Sequence, residues 1–218
     1  MRVSKEKAAQ NRQRILSAAA RLFREQGIGG SGVDAITAAA GLTHGAFYSQ
    51  FESKEAVVAE AMRLAIDESR HAFQHASKGR EKSKALARVV AAYLARSHRD
   101  SPGDGCLVAA LGADIARQPK RVRAAFTKAL KEVLELMAGL VPGAAAPRRY
   151  DDAITLFSGM VGALILARAV SEEPLSRRIL ETAAHRLNAT DRLARSPSRS
   201  SPSRAPRRER TRGASASG

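Results

Sequence analysis

Residues 33–55, VDAITAAAGLTHGAFYSQFESKE, constrain the fold more than any other stretch of this chain. Val33, Ile36 and Ala40 recur at spacings of three and four, which places them on one face of a helix. Gly41 follows at once, where a tightly turned or left-handed backbone costs least. Thr43 is a good N-cap, because its side-chain oxygen can take an otherwise unpaired helix-end amide. The helix it opens is expected over His44 to Phe51. Phe47 and Phe51 fall at i, i+4 and face inward together, so His44, Gly45, Tyr48 and Ser49 point elsewhere. Two short helices joined by so tight a turn make a helix-turn-helix, whose second helix can enter a DNA major groove.

The run Gly41 through Phe51, followed by Ser53-Lys54-Glu55, resembles the DNA-binding signature of TetR/AcrR-type repressors. The preceding Arg14 to Gly27, RILSAAARLFREQG, is similar to that family's first helix. The likeness is close over the N-terminal part of the chain only; beyond it, length and an all-helical pattern agree. It implies that Tyr48 and Lys54 hold phosphates, a role that suits a phenol hydroxyl and an ammonium beside helix-end amides. Thr43 is expected on phosphate through its hydroxyl and amide. Gly45 lets the backbone approach the bases. His44, Ser49 and Gln50 are expected at base edges, glutamine being able to read adenine through two hydrogen bonds. The chain departs from the family where Gln50 stands in place of the usual histidine. Ile28 likewise stands where an aromatic residue is common, and Ser31 near a usual threonine.

Lys+Arg 37 against Asp+Glu 21 gives a formal net charge of +16, which favours a polyanionic partner, with nucleic acid foremost. Aromatic residues make up only 4% and Trp is absent, so the core is aliphatic. Abundant alanine and few strand-forming runs predict an all-α chain; the resemblance implies an N-terminal three-helix helix-turn-helix domain and a C-terminal helical domain for ligand binding and dimerisation. The single cysteine excludes an intramolecular disulfide. The N-terminus is basic and polar, without the apolar core of a signal peptide. The longest apolar stretch, Ile154 to Val170, reads as short for a membrane span. A cytoplasmic protein without membrane contact is the expectation.

Along the chain, residues 1–10 read as a flexible basic arm, 11–55 as the DNA-binding domain, 56–190 as the second domain and 191–218 as a tail. A first helix is expected from Asn11 to Gln26, then a Gly29–Gly32 loop. Ser53 should cap a helix reaching about His75. Further helices are expected over 81–99, from Cys106 to Arg117 with Asp104 as N-cap, from Pro119 to Leu140, from Arg148 to Val170 and from Pro174 to Leu187. In the tail, eight arginines stand against Asp191 and Glu209, and no large apolar residue follows Leu193. Such a composition cannot bury enough surface to offset its ordering entropy, so the tail is expected to be disordered.

About 50 residues suffice for a helix-turn-helix, so the other helices need a purpose. Leu156 to Ala167 is apolar nearly all round, a pattern that demands burial on more than one face. Gly159, Gly162, Ala163 and Ala167 let helices approach closely, either within the chain's own core or across a dimer; the resemblance implies the latter, with Gly159, Gly162, Ala163 and Leu166 at the interface. The resemblance implies a homodimer, a palindromic double-stranded operator and an unidentified small-molecule effector that releases it. Phe73, Tyr93, Leu107, Leu111, Phe126, Leu130 and Phe157 are the candidate pocket residues. Cys106 is a candidate thiol sensor of electrophiles or oxidants, since helix-end amides favour thiolate, although Asp104 opposes this. His71 and His75 sit at i, i+4 but lack a third ligand, so no metal site is expected. No phosphate loop, nucleophile elbow or paired-acid motif is present; neither a cofactor nor enzyme activity is expected. Two other readings remain: a sequence-independent basic DNA binder, and a helical small-molecule-binding protein with a vestigial helix-turn-helix.

Overall fold

The computed structural model describes residues 5–143 and 145–188, so the arginine-rich tail lies outside the described residues. Among the described residues the chain is all-α, with ten helices, one short 3-10 turn and no strand. The first helix, α1 (Lys5–Gly30), starts earlier than expected, and residues 5–10 are helical. Its regular course breaks at Gly27, where φ is +76°. An L side chain there would cost about 1–2 kcal/mol, and its Cβ would lie 2.7 Å from an Asp114 carboxylate oxygen. One further turn follows, in place of the expected glycine loop. The buried Ser31 hydroxyl supports it by donating to the Gly27 carbonyl at 3.0 Å.

Then come α2 (Val33–Ala39), α3 (His44–Tyr48) and α4 (Lys54–Ser77). Helix α3 is shorter than expected, because the Gln50 amide turns to the Phe47 carbonyl, three residues back, while the Ala46 carbonyl it would use in a continuing helix takes the Ser49 hydroxyl at 2.8 Å. Ser53 caps α4 by accepting the Ala56 amide at 3.2 Å. The single helix expected over 81–99 is two, α5 (Lys82–Tyr93) and α6 (Arg96–Asp100). The His98 ring folds back and donates from Nδ1 to the Tyr93 carbonyl, taking the acceptor a continuing helix would use. A 3-10 turn, Pro102–Asp104, precedes α7 (Leu107–Ala116). Asp104 therefore closes that turn and does not cap α7. The N-cap is Cys106, held out of the helix as its amide donates to His98 Nε2 at 2.9 Å. The chain ends in α8 (Lys120–Leu140), α9 (Ala146–Ala169) and α10 (Glu173–Asn188).

Two hydrophobic cores hold these helices, and α4 runs through both. In α4, Val57, Val58, Ala61, Met62 and Ala65 point into the first core; Ile66 and Phe73 point into the second. The first core also takes Ile15, Ala19 and Phe23 of α1, Phe47 of α3 and Leu107, Leu111 and Ile115 of α7. It therefore does not stop at residue 55. The second gathers α5, α8, α9 and α10 around Val90, Met137, Phe157, Met160 and Leu180. By length and composition alone, Pro147–Ala169 could cross a membrane, with mean hydropathy 1.5, against the expectation of a shorter stretch. In this fold Ala153, Leu156, Met160, Leu164 and Ala167 of that helix are buried.

Candidate functional site

The α2–α3 pair is fixed by its turn and by two aromatic anchors. Gly41 has φ +61°, and its carbonyl accepts from Arg14 at 3.3 Å. Thr43 Oγ1 caps α3 by accepting the Ala46 amide at 3.3 Å. Phe47 is 0% exposed and Phe51 4%, and burying two such rings contributes roughly 1.5–3 kcal/mol each. With the inner face committed, α3 presents Thr43, His44, Gly45, Tyr48 and Ser49 outward, Tyr48 at 55% exposure. Gln50 is half-buried and its side-chain amide donates to Ser49 Oγ at 3.4 Å. Small residues at the start of a short helix, flanked by hydroxyls, a phenol and an imidazole, suit contact with base edges and phosphates.

Three residues that the sequence did not single out organise this face. Arg12 donates to the Gln50 carbonyl, pairs with Glu60 and lies with its guanidinium 4.2 Å from the centre of the Phe51 ring. Arg14 holds the turn at Gly41. Asp34 accepts from His44 Nδ1 at 2.5 Å. No spacing rule announces these partners, which lie 10 to 48 residues apart in sequence. Lys54 sits at the start of α4 as expected, yet its ammonium donates to the Ile28 carbonyl at 2.6 Å. The Ile28 amide in turn donates to Asp114 of α7 at 3.2 Å, so one residue joins α1, α4 and α7.

A cavity of about 270 Å³ lies between α4, α5, α7, α8 and α9. Phe73, Tyr93, Leu107 and Phe157 line it as expected, and so does Cys106. Leu111, Phe126 and Leu130 do not. Leu111 is fully buried in the first core, Phe126 packs against that core, and Leu130 packs against the second. Ile66, Val89, Val133 and His98 complete much of the wall instead. His98 spends both ring nitrogens, donating to Tyr93 and accepting from Cys106, and burial pushes its pKa down. The Tyr93 hydroxyl is buried beside the Cys106 thiol; burial, then that neighbour, push its pKa up. Arg168 braces this corner by donating to the His98 and Arg99 carbonyls at 2.7 and 3.0 Å.

Gly159, Gly162, Ala163 and Leu166 line an open groove between α9 and α10. Ile165 and Leu166 remain 43% and 57% exposed there and beside it, and a Cβ on Gly162 would meet no atom within 4 Å. His71 and His75 are both exposed on α4.

Residues 15–61 match the family described as bacterial regulatory proteins, tetR family. That N-terminal segment belongs to the tetR family of bacterial regulatory proteins. Over 63 residues it is 40% identical to the HTH-type transcriptional regulator AcrR of Shigella flexneri, covering 29% of each chain. Over 97 residues it is 32% identical to the HTH-type transcriptional repressor DhaR of Mycobacterium sp. (strain GP1), covering 44% of this chain and 48% of that one. The chain thus aligns with less than half the length of either curated relative. The whole fold is similar to a crystal structure of a TetR transcriptional regulator from Legionella pneumophila. The TM-score is 0.72 at 21% identity, covering 87% of this chain and 99% of that one. The helical C-terminal part thus shares the fold of a TetR-family protein even where its sequence diverges.

Proposed function

We propose that this chain is a DNA-binding transcriptional repressor, acting as a homodimer in the cytoplasm on a palindromic double-stranded operator. The observation that carries the reading is the outward face of α3, set on the buried Phe47 and Phe51 within the TetR-family segment. Thr43, Tyr48 and Lys54 take phosphates; His44, Ser49 and Gln50 meet base edges across Gly45. Lys54 has three N–H bonds and spends one on Ile28, which leaves it able to take a phosphate oxygen as well. The α9–α10 groove supports the dimer: an exposed apolar patch with small residues is the kind of face that a second copy covers. Two-fold symmetry then sets the recognition helices about 34–36 Å apart, one turn of DNA.

The cavity is the effector site in this reading, with residues 11–55 as the DNA-binding domain and 56–190 as the effector and dimer domain. A small molecule seated against Leu107 and Val108 bears on α7, and α7 reaches the DNA-binding domain through Asp114 and Ile28. A preference of 1–3 kcal/mol for the non-DNA state weakens DNA binding about 5- to 150-fold. Cys106, half-buried in the wall, is the group an electrophile would modify.

The test is binding to the DNA upstream of the chain's own gene, at about 150 mM salt with excess competitor, since non-specific affinity is electrostatic and falls steeply with salt. A protein ending at Asn188 runs in parallel. Discrete, competitor-resistant binding by both is expected. Binding that vanishes with competitor or with the tail supports the sequence-independent DNA binder instead. No DNA binding at all supports the vestigial helix-turn-helix.

A further inference from the structure

We infer that Asp34 is a specificity-determining residue that acts through His44, fixing its ring so that Nε2 accepts a hydrogen bond from an exocyclic amino group in the major groove. This rests on the DNA-binding reading above and names one chemical feature that the operator must carry.

The turn at Gly41 brings the first turn of α2 beside the first residue of α3, although Asp34 and His44 are ten positions apart. His44 Nδ1 donates to Asp34 Oδ1 at 2.5 Å. A carboxylate only accepts, so the proton of this bond sits on Nδ1. One helical turn on, the Tyr48 ring leans against the imidazole, with centroids 5.2 Å apart and planes at 44°. The ring is thus held at Nδ1 and along one face, and Nε2 is its remaining polar atom. With the proton kept on Nδ1, neutral imidazole offers Nε2 as an acceptor. In the major groove the matching donors are the amino groups of adenine N6 and cytosine N4; thymine and guanine present oxygen at those positions.

The geometry also explains a carboxylate that is otherwise out of place. Asp34 is 90% exposed on a face proposed to meet a polyanion, where an unpaired negative charge weakens binding. Its position in the first turn of α2 accounts for a share of helix stability. That role does not require contact with His44, and it changes no base preference. The two roles are therefore separable by experiment.

The experiment selects bound duplexes from a pool randomised across one half-site. It uses the full chain and the variants Asp34→Ala, Asp34→Asn, His44→Ala and the double alanine. Thermal melting of each variant shows that the fold survives. The wild type is expected to enrich a motif in which one position demands adenine or cytosine. Replacing that base with purine, which lacks N6, or with uracil, which carries oxygen for N4, then tells the two donors apart. Asp34→Ala and His44→Ala are each expected to relax that same position by about fivefold or more, while preferences elsewhere stay. Asp34→Asn, whose amide oxygen can still accept the Nδ1 proton, is expected to keep the preference. The double variant is expected to be no more relaxed than His44→Ala.

Three results overturn the inference while leaving the repressor reading standing: uniform weakening of all sequences by Asp34→Ala, relaxation of different positions by the two single variants, or Asp34→Asn behaving like Asp34→Ala. If the wild type enriches no motif, the repressor reading falls and takes this inference with it.

Discussion

Replacing Arg24 with methionine tests how firmly the DNA-binding helices are tied to the rest of the molecule. The Arg24 side chain is only 6% exposed. Its Nε donates to the carbonyl of the buried Gly103, and its Nη1 lies 3.4 Å from a Glu68 carboxylate oxygen. Methionine keeps much of the apolar stem and removes both contacts. Leaving a buried carbonyl without its donor costs about 1–3 kcal/mol. The Glu68 pair adds little, about 0–1 kcal/mol, because Glu68 is 55% exposed and water replaces its partner. Relief of the buried guanidinium's desolvation offsets a fraction of this. The net expectation is a loss of about 1–3 kcal/mol. That corresponds to a fall of roughly 2–12 °C in Tm for a chain of this size. Arg21→Met is the control. Arg21 lies on the same helix and pairs with Glu25 at 2.9 Å, but its side chain is 61% exposed. Its loss is expected to stay within about 0.5 kcal/mol. Denaturant titration at one fixed protein concentration measures both, so that dimerisation does not confound the comparison. Equal effects from the two variants, or less than about 0.5 kcal/mol from Arg24→Met, refute the argument that burial makes Arg24 a tie.

Gly41→Ala is expected to cost about 1–2 kcal/mol from its φ of +61° alone. Its Cβ would also meet Arg14 at 2.8 Å, so DNA affinity should fall by more than the melting temperature suggests. Acidification should destabilise the protein through His98. Burial holds its pKa below 6.5 in the folded state, so below about pH 6.5 the unfolded chain binds the extra proton and stability drops as pH falls toward the folded pKa. His98→Gln should flatten that slope between pH 7.5 and 5.5 in thermal melts. Leu166→Glu places a charge in the α9–α10 groove and is expected to give a monomer by sedimentation, with loss of tight binding to a two-half-site duplex.

What was legible in the sequence was local. Gly41, Thr43, Phe47 and Phe51 lie within eleven residues of one another, and their spacing dictated turn, cap and anchors, all as found. Ser53 likewise announced the start of α4. What failed needed partners far along the chain. Asp104 looks like an N-cap by residue type, yet His98, eight residues before Cys106, claims that residue's amide and moves the helix start. Leu111 and Phe126 are apolar helix residues like those lining the cavity, and periodicity does not say which of two cores a stripe will face. Arg12 is one basic residue among many until the fold sets it against Glu60 and the Phe51 ring.

The same distinction bears on how an effector signal would travel. Contacts between the two helices of the helix-turn-helix are short-range, whereas this unit is tied to α4 and α7 by the shared first core and by a few long-range hydrogen bonds. Ile28 concentrates two of them: its amide donates to Asp114 and its carbonyl accepts from Lys54. One residue, with its amide and carbonyl both engaged, therefore stands between α7, which lines the cavity, and α4, whose first residue is proposed to hold phosphate. Asp114→Ala removes one side of that link and leaves the cavity residues untouched. Linkage makes coupling reciprocal, so DNA should alter the cavity as the effector alters DNA affinity. The rate at which N-ethylmaleimide alkylates Cys106, with and without saturating operator, reads this out. The wild type is expected to show a several-fold difference, and Asp114→Ala a difference near one. An undiminished difference in Asp114→Ala would show that the signal passes instead along α4, which touches both cores directly.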